Sequence, residues 1–356
     1  MREINILLLG VGGNVSQGIL KAIRHYDFEQ DGIRVKIIGA CISPDSIGLY
    51  MCDEACLCPY AADPKFMEWV ISTCRDKKVD IILTGVEENI IVLQDNIQRL
   101  NNETDAIFIA SDIDKLRIGQ DKYQTCRWLK ENGCNYPEFC SSQDREEVKR
   151  LVKSAGFPLI AKPCHGKGSN GLVFVKDESV LRQLELDQGY VLEEYIGNPK
   201  QEYTVGCYCD RNGTLQDIIV MHRKLEHGSS TVVEVVEDVD IYRETKRICE
   251  AFRPAGPLNI QMRKRDNGQP VCFELNVRFS GTTPMRAHFG FQDVVAMIKE
   301  YCLGESIQEC FRIEKGVAYR YTNEFYLSDN AAERLAAGEE AIDMHPYHFY
   351  EGRTRD

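Results

Sequence analysis

Two alternating runs flank Asn267-Gly268 in GPLNIQMRKRDNGQPVCFELNVRFSG, residues 256–281. An Asn-Gly pair between such runs predicts a two-residue type I′ hairpin, whose central positions both need φ > 0. That turn would fix the register. Asp266 pairs with Gln269, Gln261 lies opposite Glu274, and Asn259 lies opposite Asn276. The period of a strand then puts Glu274, Asn276 and Arg278 on one face, and Leu275 and Val277 on the other with Leu258, Ile260 and Met262. One face is apolar and packs. The other gathers amides and a carboxylate, with a guanidinium two residues beyond. A solvated outer face is the plain alternative, but such faces favour Lys, Glu and Thr. Oxygen donors with one charge suit a hard cation, and an arginine beside them suits a polyphosphate. The register alone leaves the two readings level.

The first 112 residues follow another rule. Apolar runs at INILLL, VKIIGACI, VDIILTGV and AIFIAS alternate with helical runs from about Ser16, in PKFMEWVISTCRDKK and in NIIVLQDNIQRL. This alternation predicts a parallel, doubly wound sheet. Gly10, Gly12 and Gly13 turn the chain sharply into the first helix. Their G-x-G-G spacing, and a second strand ending in GACISPDS, depart from a dinucleotide fingerprint, so NAD is not expected. Glu87 and Glu88 in TGVEENI fall at a strand end and a helix start. They serve either as substrate contacts or as acids favoured by the helix dipole.

From about Asp112 the pattern changes. DKYQTCRWLKENG and SQDREEVKRLVKSAG read as helices ending at Gly133 and Gly156. Strand runs then dominate, with helices at DIYRETKRICEAF and from about Phe291 to Leu303. Between two strand runs lies CHGKGSNG, rich in glycine and basic groups. Such a loop either closes over phosphate or is a solvated hairpin. The net charge of −12 argues against general nucleic-acid binding. No stretch has the length of a membrane span. MREINILLLGVGGN reads as a strand rather than a signal peptide, and with fifteen cysteines it sets the expectation of a reducing, cytoplasmic setting. Cys52, Cys56 and Cys58 are spaced C-x3-C-x-C without a matching second half, so free thiols rather than a metal are expected there.

Five segments, in order over about residues 1 to 305, resemble the ATP-grasp superfamily, specifically its carbamoyl-phosphate-synthase-like ATP-dependent carboxylate–amine ligases. Lys122 in GQDKY stands at the family's first phosphate lysine. Lys162 in LIAKP stands at the second, followed by the glycine loop. VLEEYI, with Glu193, Glu194, Tyr195 and Ile196, matches the adenine hinge. QEYTVGCYCDRNG matches the next strand, where Gln201 or Glu202 reaches the ribose. NIQ and FELNVRFSG match the magnesium strands.

The resemblance implies an α/β chain, α+β in its second half. A Rossmann-like pre-ATP-grasp domain (1–112) precedes an ATP-grasp domain (113–310) with a mobile lid (about 123–192), and a C-terminal appendage (311–356) follows. It implies ATP under the amides of Gly166, Lys167, Gly168 and Ser169, and Mg2+ or Mn2+ on Gln261, Glu274 and Asn276. Arg278 and Lys162 would hold the transferred phosphate. Arg223, or Lys224 beside it, would take the place of an arginine that relatives use on the acyl phosphate. The implied reaction joins a small carboxylate to an amine through an acyl phosphate, releasing ADP. ATP-dependent carboxylation, carbamoyl-phosphate-type phosphotransfer and a non-catalytic nucleotide sensor are the alternatives. Neither nucleic acid nor membrane is an expected partner, and a homodimer is left open.

Overall fold

The computed structural model describes residues 1–166, 170–184, 189–198, 200–226, 228–327 and 330–339. The chain divides into two compact units. The first comprises 1–113, 278–314 and the described residues from Tyr321 on. The second comprises 114–277 and 315–320.

The first unit holds β1 (Arg2–Leu9), β2 (Ile33–Cys41), β3 (Glu54–Leu57), β4 (Ile81–Thr84) and β5 (Ile107–Phe108), all parallel, in the order β3-β2-β1-β4-β5. The expected doubly wound sheet is therefore present. Ile6 to Leu9 and Ile81 to Leu83 are buried, as parallel strands covered on both faces require. Ser16, in the helix Asn14–His25, joins two strand ends: its Oγ donates to Leu9 O at 2.8 Å and accepts from Gly85 N at 3.0 Å. The single helix expected over 89–100 is two, Glu87–Asp95 and Ile97–Glu103. The break falls at Asn96, whose side-chain amide donates to Val92 O and competes with the helical pattern.

The second unit has two antiparallel sheets. The smaller contains β6 (Phe139–Ser141), β7 (Leu159–Pro163), β8 (Val173–Val175) and β9 (Tyr190–Glu194), ordered β6-β9-β7-β8. Leu159, Ala161, Val175 and Leu192 form its core with Val148 and Leu151 of the helix Arg145–Ala155. The larger sheet contains β10 (Glu202–Cys209), β11 (Leu215–Glu226), β12 (Ser229–Val235), β13 (Gly256–Lys264), β14 (Pro270–Asn276) and β15 (Val317–Tyr319). Its order is β14-β13-β10-β11-β12-β15. The short strand β15 borders β12. A helix, Ile113–Gln120, had no counterpart in the sequence reading. It packs through Gly119, where an added Cβ would lie 2.7 Å from Val277 Cγ2.

The hairpin differs from the expected type I′ turn. Gly268 has φ +84°, but Asn267 is not in the left-handed region. Arg265 N donates to Gln269 O, and Lys264 pairs with Pro270, so the loop holds three residues rather than two. Such a turn shifts the ladder by one. A bulge then shifts it back, because Met262 pairs with Cys272 while Gln261 pairs with Glu274. Phe273 is the extra residue. Asn259 still meets Asn276, as the sequence reading required.

Gly197, just past β9, abuts this hairpin. It has φ +52°, and a Cβ there would stand 2.0 Å from Lys264 O. Gly268 is also left-handed, but nothing lies within 4 Å of its Cβ position. Gly268→Ala should therefore cost only the conformational strain, about 1–2 kcal/mol in urea unfolding. Gly197→Ala should cost clearly more, because backbone must move as well. Equal losses would show that the approach of residue 197 to β13 is not tight.

Candidate functional site

A cleft of about 250 Å³ lies in the second unit, walled by both antiparallel sheets. Part of its lining is apolar, with Ile160, Leu172, Phe174, Tyr195, Ile196 and Leu225. Phe174 stands edge-on to Tyr195, with centroids 5.3 Å apart. Phe174 is 50% exposed and Leu172 42%. Large apolar side chains left open in a cleft mark a surface that receives a ligand.

The rest of the lining is charged. Lys162 Nζ donates to Glu193 Oε2 at 2.6 Å and lies 4.9 Å from the Phe273 ring centroid. Burial opposes its charge, but the Glu193 carboxylate outweighs burial and raises its pKa, so Lys162 is a cation. Lys122 opens the helix Lys122–Glu131, which Asp121 caps by accepting from Gln124 N. Its Nζ donates to Gly166 O at 2.8 Å, at the start of the glycine loop. Lys167, Gly168 and Ser169 lie outside the described residues.

Glu202 is held by two arginines. Its Oε1 accepts from Arg223 Nε at 2.9 Å and also from Arg223 Nη2. Its Oε2 accepts from Arg263 Nε at 2.9 Å and Nη2 at 2.7 Å. Burial raises the carboxyl pKa, yet the two guanidiniums more than offset it, and the net shift is downward. Gln201 is exposed, whereas Glu202 is buried and lines the cleft. Arg223 is likewise buried in the lining, while Lys224 is exposed and pairs with Glu226 at 2.6 Å.

Gln261 and Glu274 also line the cleft. Gln261 Oε1 accepts from Arg223 Nη2 at 2.7 Å. Asn276 Nδ2 donates to Glu274 Oε1 at 3.1 Å, which turns the amide so that Oδ1 is left as an acceptor. Carboxylate and amide oxygens from adjacent strands are a donor set that fits a hard divalent cation. Glu194 is engaged differently: Arg265 Nη1 donates to Oε2 at 2.7 Å, Arg265 Nη2 to Oε1, and Glu138 N to Oε1 at 2.9 Å. It ties the end of β9 to the hairpin loop.

Arg278 belongs to the first unit. Its Nε and Nη2 each lie 2.8 Å from Glu87 Oε1, and its Nη1 donates to Phe279 O. Two residues singled out separately in the sequence thus form one ion pair. Among the cysteines considered for metal, Cys52 is buried and donates to Gly48 O, Cys56 and Cys58 are half-buried, and none of the three is in a disulfide.

The sequence reading passed over Arg263, Arg265 and Phe273. Arg263 had a signal, since it shares strand parity with Gln261. Phe273 had none, because its place depends on the bulge.

The Glu202 clamp gives a pH prediction. A carboxylate with a lowered folded pKa stabilises the fold above its unfolded value, ordinarily 4.5, and that stability is lost as pH falls through the folded value. At pH 7, Glu202→Gln should cost about 3–5 kcal/mol in urea unfolding, because two guanidiniums lose their counter-charge. The gap to wild type should narrow below pH 4.5. A gap that does not depend on pH would mean that the side chain acts through shape alone.

Comparison with known proteins places these features. Residues 188–325 match the family described as ATP-grasp in the biosynthetic pathway with Ter operon, and residues 6–107 match the PylC-like N-terminal domain. The carbamoyl phosphate synthase large chain of Methanosarcina barkeri is 24% identical over 244 residues, 62% of this chain. The match covers 22% of that relative, so this chain spans about a fifth of its length. A biotin carboxylase–β,γ-ATP complex from Campylobacter jejuni superposes with TM-score 0.68 and 18% identity, over 88% of this chain and 74% of that one. An L-amino acid ligase from Bacillus licheniformis superposes with TM-score 0.61 and 15% identity, over 85% and 74%. Among the described residues no helix is long and apolar enough to cross a membrane. The chain thus carries a PylC-like N-terminal domain match over residues 6–107 and an ATP-grasp match over residues 188–325, and the second match takes in Glu193, Glu202, Arg223, Gln261 and Glu274 of the cleft.

Proposed function

We propose that the chain is an ATP-dependent ligase that joins a carboxylate to an amine through an acyl phosphate and releases ADP and phosphate. The observation that carries this reading is the cleft, where Lys122 and Lys162 share one lining with Gln261, Glu274 and an apolar slot. The apolar slot suits a purine ring, with Tyr195 and Phe174 offering ring faces and edges. Lys122 and Lys162 donate to phosphate oxygens, and amides of the loop beginning at Gly166 do the same. Glu202, oriented by Arg223 and Arg263, takes a ribose hydroxyl. Arg278 is assigned to the transferred phosphate by its place two residues beyond Asn276.

Glu274, Asn276 and Gln261 would hold magnesium, which supplies charge neutralisation on the phosphate oxygens. The protein's part in the chemistry is positioning and electrostatics. The substrate carboxylate attacks the γ-phosphorus, the bond to the bridging oxygen breaks, and ADP leaves with that electron pair. The amine then attacks the acyl carbon and phosphate departs. No side chain forms a covalent bond in this scheme. The likeness to an L-amino acid ligase supports an amine acceptor, and the likeness to a biotin carboxylase keeps bicarbonate among the acids to be tried.

ADP release with pooled carboxylates and pooled amines, followed by product mass spectrometry, tests the reading. Release is expected to require both pools. Release with bicarbonate and no amine points to carboxylation instead, and nucleotide binding without any turnover points to a sensor. Glu274→Gln should lower turnover by on the order of a hundredfold or more, as loss of a charge-stabilising group does. Its melting temperature without nucleotide should stay near that of wild type. Leu275→Asn should do the reverse, because Leu275 is fully buried on the other face. Full activity in Glu274→Gln with a collapsed melting temperature would make the carboxylate structural.

A further inference from the structure

Gln261, read above as a metal donor, already makes a short polar contact. Its carbonyl accepts from Arg223 Nη2 at 2.7 Å. Arg223 is only 8% exposed, so water screens this contact little. The carbonyl's second lone pair does not remove the conflict. A divalent ion bound there would sit one coordination bond and one hydrogen bond from a guanidinium, and like charges that close repel strongly away from bulk water. Arg223 has somewhere else to stay, since Nε and Nη2 also hold Glu202. Glu202 in turn keeps Arg263 on its other oxygen whatever Arg223 does. Breaking the Arg223–Gln261 bond therefore strands no buried charge.

We propose that Arg223 is a resident counter-cation of the metal site. In the nucleotide-free protein it occupies Gln261 Oε1 and opposes a divalent ion on Gln261 and Glu274. It yields that oxygen only when a nucleotide brings phosphates for the guanidinium to bind. Metal and nucleotide then enter together, and the empty enzyme does not load with metal. The inference rests on the reading of Gln261, Glu274 and Asn276 as a cation site.

The test is titration of Mn2+ into nucleotide-free protein, with free Mn2+ read by electron paramagnetic resonance. Arg223→Gln should bind Mn2+ on the order of tenfold more tightly than wild type. Arg263→Gln removes the same charge without touching Gln261 and should gain less. With Gln261→Met in both arms, the effect of Arg223→Gln should fall below about threefold, because the shared oxygen is gone. Unchanged or weaker Mn2+ binding in Arg223→Gln overturns the proposal. So does an equal gain in the Gln261→Met background, which would reveal a general charge effect. Circular dichroism checks folding, and Arg223→Met keeps the stem if the glutamine variant is unstable. Binding of Mg-ADP to wild type is measured in parallel. If wild type binds no nucleotide, the reading of the cleft fails. If it binds nucleotide while Arg223→Gln leaves Mn2+ affinity unchanged, only the counter-cation fails.

Discussion

Along β13 and β14 the pairing changes by one residue between Met262 and Gln261, and Phe273 is left without a cross-strand partner. The three-residue turn at 266–268 makes this shift necessary. If the pairing set at Lys264 and Pro270 ran on unbroken, Gln261 would face Phe273, and Asn259 would face Leu275. A slip of one residue exchanges the two faces of a strand, so Glu274 would lose its amide partner across the ladder. The bulge also directs Phe273 into the cleft, as such insertions commonly do for one side chain. There its ring meets the ammonium of Lys162, which belongs to the other sheet. One unpaired residue thus sets both the donor set on β14 and an attachment between the two walls.

Around that hairpin the cleft carries charges that are expensive to bury alone. Lys162 and Glu193 are paired, and Glu202 has two guanidiniums. An isolated ion in such a place would cost several kcal/mol, and here each has its partner in the protein itself. The cleft is therefore formed without relying on a ligand. The polyanion proposed above would exchange partners with cations already in position, which would reduce the reorganisation left for the moment of binding.

How far the sequence revealed this depends on the range of each interaction. Gln261 opposite Glu274 was legible because strand parity and a turn signal are local. The agreement arose through two compensating departures, a longer turn and a bulge, and neither leaves a mark in composition. Arg263 was within reach of the same parity argument but was hidden by a search for acids and amides. Glu87 with Arg278 could not be read, since the partners are separated by 191 positions and no local pattern joins them. The helix over 113–120 was missed because its Gly119 weakens helical propensity. That glycine is required by packing against Val277, a tertiary reason that overrides propensity.

The two glutamates at the cleft differ in what they leave available. Glu194 accepts from Arg265 and from Glu138 N, and serves to fasten the hairpin loop. Glu202 accepts two N–H groups on each oxygen, from Arg223 on one and from Arg263 on the other, so its four acceptor sites are all taken. The group formed by Glu202, Arg223 and Arg263 carries a single net positive charge, so it attracts phosphate and disfavours a metal ion on its side. On the reading proposed above, a divalent ion would be left to Glu274, whose carboxylate is bonded by Asn276 rather than by a guanidinium. Charge thus separates the cleft into an anion-facing wall on β10 and β11 and a cation-facing wall on β14. Gln261 lies between them on β13, where its carbonyl accepts from Arg223, and in the role proposed for that arginine the contact would decide which side Gln261 serves.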